Sequence, residues 1–230
     1  MEFTTDIHSH ILPGLDDGAP DIKMSVEILK GLSLLGYKKV WATPHISYLF
    51  PNDHETIFST LPILQERIRQ EEIPIELFCA AEYMFDNNFV TSLSGRNDLL
   101  TLPNRHLLLE FSMTNEPIIF YKEILFDLQL RGYKIILAHP ERYPYFYETF
   151  SEYNELKQIG LLFQVNLLSF DKYYGKFAQK IATKLAKKGM IDFLATDIHN
   201  SQQIGLLRNK RITKSISGIV VKNDLLSLHT

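Results

Sequence analysis

Five of the eight histidines in this 230-residue chain, His8, His10, His45, His139 and His199, stand at or just past the end of a short apolar run. Three carboxylates, Glu82, Glu110 and Asp197, occupy the same register. An ionised carboxylate at the end of an apolar strand is costly to desolvate without a counter-charge. Few lysines or arginines stand at these run ends, so divalent metal is the expected partner. Imidazole mixed with carboxylate and without thiolate suits manganese, iron or zinc, whereas magnesium and calcium prefer oxygen alone. Five histidines and three or four acids exceed the shell of one ion, so two or three ions are expected. A bridging acid would hold neighbouring ions roughly 3.5 to 4 Å apart.

The remaining motifs admit two readings each. His8-x-His10 is weak by itself, because short motifs arise by chance. Asp16-Asp17-Gly18 reads equally as an Asp-Gly turn and as a loop that presents Asp17 as a further ligand. Arg142, in His139-Pro140-Glu141-Arg142-Tyr143, is either a loop charge paired with Glu141 or, beside metals, a bidentate phosphoryl binder. The aromatic group Tyr143, Tyr145, Phe146, Tyr147, Phe150 and Tyr153 reads first as helix packing, with some rings lining a mouth. Cys79 is the single cysteine. It has no disulfide partner and no CxxC spacing, and Phe85 stands where a cysteine-dependent phosphatase would carry arginine. No Walker-type loop or dinucleotide fingerprint is present.

These side chains need a scaffold that makes strand ends neighbours. Apolar runs recur at residues 3–7, 39–43, 75–81, 106–111, 134–138, 161–165 and 191–195. Between them lie helical patterns at 21–35, 53–70 (interrupted by Pro62), 117–130, 145–159 and 176–188, several of them stopped by glycine. Repeating β-α units imply a parallel sheet. A polar residue ends every run, which favours a closed α/β barrel of seven strands, where such residues share one mouth, over an open sheet. The tail, 211–230, reads as a closing element, and residues 1–230 as one domain. A net charge of -3 leaves no basic excess for nucleic acid. The start lacks a secretory leader and no run is long enough to span a membrane, so a cytoplasmic enzyme is expected.

The ordered motifs Asp6-Ile7-His8-Ser9-His10, Asp16-Asp17-Gly18, Thr43-Pro44-His45, Ala81-Glu82-Tyr83, Leu109-Glu110-Phe111-Ser112, His139-Pro140-Glu141-Arg142-Tyr143 and Ala195-Thr196-Asp197-Ile198-His199-Asn200 resemble those of the polymerase and histidinol phosphatase (PHP) superfamily. Within it, the chain is most similar to the manganese-dependent bacterial protein-tyrosine phosphatases of capsule and exopolysaccharide loci. The resemblance, which runs from residue 6 to about 210, implies a distorted seven-stranded β/α barrel, TIM-like, with three ions at its mouth. It implies His8, His10, Glu82 and Asp197 on one ion, Glu82, Glu110 and His139 on a second, and Asp17, His45 and His199 on a third. It further implies manganese, with iron, zinc or magnesium as alternatives. Arg142 matches the family's phosphate-binding arginine. A second arginine follows the last histidine in many relatives, but Asn200-Ser201-Gln202-Gln203-Ile204 occupies that stretch here and Arg208 is the nearest candidate. The implied chemistry is attack on phosphotyrosine by a metal-held hydroxide. The implied partner is the phosphorylated tail of a membrane-bound bacterial tyrosine kinase. A small-molecule phosphatase, such as one for histidinol phosphate, and a non-catalytic metal-binding interaction protein are the alternatives.

Overall fold

The computed structural model describes residues 3–94 and 98–227; the last residues of the proposed closing tail, 228–230, lie outside them. Among the described residues nine short strands form: β1 (Thr5–Asp6), β2 (Lys39–Ala42), β3 (His45–Ile46), β4 (Glu76–Cys79), β5 (Glu82–Met84), β6 (His106–Glu110), β7 (Lys134–Ala138), β8 (Leu162–Asn166) and β9 (Phe193–Ala195). Every pairing between them is parallel. They lie in two sheets, β1-β2-β4 and β3-β5-β6-β7-β8-β9, rather than in the single seven-stranded sheet expected. The difference lies in two runs that break and resume. The second breaks between β2 and β3 at Thr43-Pro44, where proline has no N–H for a ladder. The strand of the third run breaks after β4 and resumes past the run's end as β5, so that β4 pairs with β2 while β5 pairs with β3 and β6.

Contacts also join the first run to the last. Ser9 and Ile198 form an isolated parallel bridge. Asp197 N donates to His8 O at 3.0 Å and His10 N to Ile198 O at 2.9 Å. At the opposite end Asn223, fully buried, accepts from Leu194 N (3.1 Å) and donates to Thr5 O (2.9 Å) and Leu194 O (2.6 Å). One tail side chain thus completes backbone groups of both β1 and β9. Asn223→Ala would leave these buried groups unpaired, each at about 1–3 kcal/mol. A loss of at least about 3 kcal/mol in urea unfolding is expected, and an unchanged midpoint would remove this role.

The side chains of the runs divide between two cores. A small inner cluster takes Ile7, Trp41, Ala80, Leu108, Ile136, Ala138, Phe193 and Ala195, with Leu162 packed against it, so every run contributes. The larger outer cluster packs the opposite strand faces under the helices.

Among the described residues eight α-helices follow or precede the strands: α1 (Ile22–Leu34), α2 (His54–Gln70), α3 (Asn87–Ser92), α4 (Tyr121–Leu130), α5 (Ser151–Gln158), α6 (Gly175–Lys187), α7 (Gln202–Leu207) and α8 (Lys210–Ile216). Asp21 caps α1 by accepting from Met24 N at 2.9 Å, and Asp53 caps α2 through Thr56 N at 2.8 Å. Pro62 does not interrupt α2. It sits on the exposed face, where water can solvate the carbonyl it leaves unpaired. No helix among the described residues is long and apolar enough to cross a membrane.

Candidate metal centre

The ends of the runs meet around one buried point. His8 and His10 follow β1 and are both fully buried. His8 Nδ1 donates to Gln164 Oε1 at 2.8 Å and His10 Nδ1 to Asp16 Oδ2 at 2.7 Å. Each bond fixes a tautomer and leaves Nε2 as a ligand atom, the usual service of a residue behind a metal-binding imidazole. The two Nε2 atoms lie 3.1 Å apart. His8 Nε2 is 3.2 Å from Glu82 Oε2 and 3.4 Å from Asp197 Oδ1. For His10 Nε2 the same distances are 3.4 and 3.3 Å. Glu82 and Asp197 thus each close a triangle on the shared His8–His10 edge, with sides short enough for donors held about 2 Å from a divalent ion.

Two further donor groups adjoin the first. His45 Nδ1 lies 3.1 Å from Glu82 Oε2 and 2.9 Å from Glu110 Oε1. His139 Nε2 lies 3.0 Å from Glu82 Oε1 and 3.8 Å from Glu110 Oε2. Asp17 Oδ1 is 3.4 Å from His45 Nε2 and 3.5 Å from His199 Nε2, and these three with His10 form a group of their own. Burial makes the fit to metal more than a matter of spacing. Glu82 Oε2 and His45 Nδ1 are buried without a hydrogen-bond partner despite their neighbours, because the atoms aim at shared points between them. Unsatisfied buried polar atoms are rare and costly, and a cation at those points satisfies them together.

Charges follow the same geometry. Burial opposes ionisation of Glu82, yet His8 and His45 hold its carboxyl well below the usual range. Burial likewise opposes ionisation of Asp197, and His8, His10, His199 and Arg142 hold it low. Burial would neutralise His10 and His45, but Asp16 beside the first and Glu82 beside the second push both imidazoles well above the ordinary histidine value. Backbone strain marks the same residues. His139 has φ +32° although it precedes Pro140, and Asp197 has φ +50°. Both are left-handed positions that non-glycine residues seldom hold without support from a functional site.

Gly18 is fixed by close approach. A Cβ there would lie 2.0 Å from His10 O and 2.4 Å from His10 Cβ. Gly18→Ala must therefore displace His10. The expected result is a folded protein, by circular dichroism, with metal affinity lowered by about 10-fold or more, and unaltered metal titration would refute it.

Arg142 follows His139 on a single turn, Pro140–Arg142. Its Nη1 donates to Asp197 Oδ2 at 2.9 Å and its guanidinium lies 4.2 Å over the Tyr174 ring. Asn166 Nδ2 donates to the same oxygen at 2.6 Å. With Asp17, His45, Glu110, His139, Asp197 and His199, Arg142 lines a cavity of about 390 Å³. Arg208 is not brought to this group: it ends α7 on an exposed surface, while Asn200 and Gln203 line the cavity instead. The helical turn of α7 carries residue 203 toward the cavity and residue 208 away. Sequence reasoning missed Asp16, Gln164 and Gln203. Gln203 Oε1 accepts from His199 N at 2.7 Å and Asn200 N at 3.2 Å. The polar Gln164 inside an apolar run was the available signal for its role. Tyr143, Phe146 and Tyr153 pack in the outer core.

Residues 4–223 match the family model for capsular polysaccharide synthesis, CpsB/CapC. The tyrosine-protein phosphatase YwqE of Bacillus subtilis is 30% identical over 196 residues, covering 85% of this chain and 77% of that protein. The tyrosine-protein phosphatase CpsB of Streptococcus pneumoniae is 28% identical over 206 residues, 85% of this chain and 82% of the other. A chain from the crystal structures of YwqE and CpsB, described as unique metal-dependent tyrosine phosphatases, superposes with a TM-score of 0.81 at 27% identity, covering 98% of this chain and 95% of that one. Histidinol phosphate phosphatase of Lactococcus lactis shares the fold at 15% identity and a TM-score of 0.57, covering 95% of each chain.

Proposed function

The chain belongs to the capsular polysaccharide synthesis CpsB/CapC family, and from that premise we propose that it is a metal-dependent phosphatase that hydrolyses phosphotyrosine on a protein. The observation that carries this reading is the four-atom cage of His8, His10, Glu82 and Asp197 opening onto a cavity that also holds Arg142. The three adjoining donor groups support three ions. Nitrogen and oxygen donors without thiolate support manganese. When bound, divalent ions would supply Lewis-acid stabilisation of the phosphoryl oxygens and an activated water.

The chain's own residues do the remaining work. Arg142 offers a planar donor to the phosphoryl oxygens while Asp197 and Tyr174 hold its plane. Gln164 and Asp16 keep His8 and His10 in the tautomer that leaves Nε2 lone pairs toward the cage. A phenol leaves from a pKa of about 10, so the site needs little help from a general acid. The same reading takes the two sheets as one seven-run barrel, supported by the Ser9–Ile198 bridge, by Asn223 and by the inner cluster that all runs feed. It takes the substrate as the tyrosine-phosphorylated tail of a membrane-bound kinase on the cytoplasmic side, which the capsule family supports.

Metal analysis of the purified protein coupled to phosphopeptide turnover tests the proposal. Hydrolysis of histidinol phosphate well above that of a phosphotyrosyl peptide would overturn the substrate, and inactivity toward every phosphoester would overturn the enzyme.

A pH dependence follows with a definite sign. His10 and His45 carry protons in the metal-free cluster to well above their ordinary value, so metal must displace them. Affinity therefore falls as pH falls, by about tenfold per pH unit for each proton released. Calorimetric manganese titrations in buffers of differing ionisation heat measure the protons directly, and a pH-independent Kd would contradict the charge assignment.

A further inference from the structure

A second cavity, of about 320 Å³, adjoins the catalytic one and shares Ser47 and Met84 with it. The ridge between them is a tight turn at residues 47–50. Ile46 and Pro51 pair across its base, Ser47 N donates to Phe50 O at 3.0 Å, and Phe50 N donates to Ser47 Oγ at 3.1 Å. Leu49 and Phe50 face the catalytic cavity, whereas Tyr48 and Pro51 face the second. Tyr48 and Leu49 are each 79% exposed, apolar surface at the crest of a ridge with a depression on both sides. A peptide lying over this crest would cover both side chains and drop neighbouring residues into the two cavities.

The two depressions have opposite electrostatic character. Arg142 and the metal ligands make the first a receptor for a phosphoryl dianion. The second is walled by Tyr48, Tyr83 and Phe89, with Asp53 and Asp86 at its edge, and the described residues lining it include no lysine or arginine. Both aspartates cap helices, Asp53 through Thr56 N and Asp86 through Phe89 N, each at 2.8 Å. A helix N-terminus offsets about half a charge, so the cavity keeps a net negative character. Aromatic walls with a carboxylate edge suit an aliphatic stem that ends in a cation.

Resting on the phosphotyrosine phosphatase reading, we propose that this second cavity is a specificity subsite that takes a lysine or arginine side chain flanking the phosphotyrosine of the substrate. The residue lies within about two positions of the phosphotyrosine, the span of a short extended segment across one turn. Binding energy from the flanking side chain acts on substrate affinity and falls with added salt, because both carboxylates stand at a solvent-accessible rim.

The test uses the manganese-loaded full chain and phosphotyrosyl peptides identical except for lysine, alanine or glutamate at each position within about two residues of the phosphotyrosine, with p-nitrophenyl phosphate as a substrate that has no flanks. At one position or more, lysine is expected to lower KM about fivefold relative to alanine, and glutamate to raise it, with the spread collapsing in high salt. In Asp53→Asn/Asp86→Asn, where asparagine still caps both helices, the lysine-to-alanine ratio is expected to approach one. Equal turnover of all peptides by a protein that hydrolyses p-nitrophenyl phosphate would overturn the subsite alone. Inactivity toward p-nitrophenyl phosphate and every peptide would overturn the phosphatase reading with it. A lysine preference that persists undiminished in the double variant would also overturn the assignment to this cavity.

Discussion

Glu82→Gln is expected to lower kcat/KM toward a phosphotyrosyl peptide by at least about 10³-fold and to reduce the metal content of the purified protein. Glu82 joins two of the donor groups, as His10 and His45 also do, and it alone of the three is a carboxylate. Its Oε2 lies 3.2 Å from His8 Nε2, 3.4 Å from His10 Nε2 and 3.1 Å from His45 Nδ1, and its Oε1 lies 3.0 Å from His139 Nε2. The amide keeps the volume and one acceptor oxygen but loses the charge that would hold cations at both donor groups. Lewis-acid stabilisation of several kcal/mol depends on those cations, and each 1.36 kcal/mol is a factor of ten. The variant also bears on stability. In the metal-free protein the Glu82 carboxyl is held well below its ordinary value, so its contribution is present above the unfolded-state value and is lost as pH falls through the folded one. Glu82→Gln should therefore destabilise the chelated protein at neutral pH and little in strong acid. Full metal content with wild-type turnover would sink the assignment of Glu82 as the shared ligand.

Much of this centre was legible because chemistry and burial conflict at each of its positions. An acid after Phe78-Cys79-Ala80-Ala81 or a histidine after Ile135-Ile136-Leu137-Ala138 has no place in an apolar run unless something pairs with it. That conflict marks the residue without an alignment. What the conflict does not mark is the layer behind. Asp16 looks like half of a turn, and only coordinates show its Oδ2 accepting from both His10 Nδ1 at 2.7 Å and His45 N at 3.0 Å. Arg208 fails for a related reason. Distance along the chain says how near it is to His199, but the helical rotation of α7 decides which side chain reaches the cavity, and that is Gln203.

The strand pattern was legible to the level of runs and not of breaks. Runs 39–43 and 75–81 hold only β2 and β4, and the chain changes partner just past each of them, at β3 and β5. Periodicity records which face is buried and says nothing of which neighbour a strand pairs with. The helix starts show a similar limit. Asp21 and Asp53 announce α1 and α2 by capping chemistry. Tyr145 does not start α5, because Pro144–Phe146 forms a separate turn and Ser151 begins the helix. The asparagine that joins β1 to β9 carries no local signal, since its three bonds reach residues up to 218 positions away.

Arg142→Lys is expected to lower kcat/KM by about 10²-fold while metal content stays near that of the unaltered protein. Arg142 has two duties that a lysine cannot share. Its Nη1 holds Asp197 Oδ2, and its plane rests on Tyr174, which leaves the rest of the fork directed by two fixed contacts. An ammonium on a flexible stem keeps the charge and loses the planar pair of donors and the stacking. Asp197 still receives Asn166 Nδ2 at 2.6 Å, so its Oδ1 remains aimed at His8 and His10 and the cage survives. Loss of one preorganised donor to an oxyanion costs about 10²–10³ in rate in comparable sites. If the guanidinium meets phosphoryl oxygens both before and during reaction, as proposed, KM should rise as well as kcat fall. Inhibition by inorganic phosphate offers an independent readout: its Ki should rise in step with KM, since the product presents the same oxygens. A variant that loses metal as well would place Arg142 among the supports of Asp197 alone, and one with unaltered phosphate inhibition would remove it from the phosphoryl site.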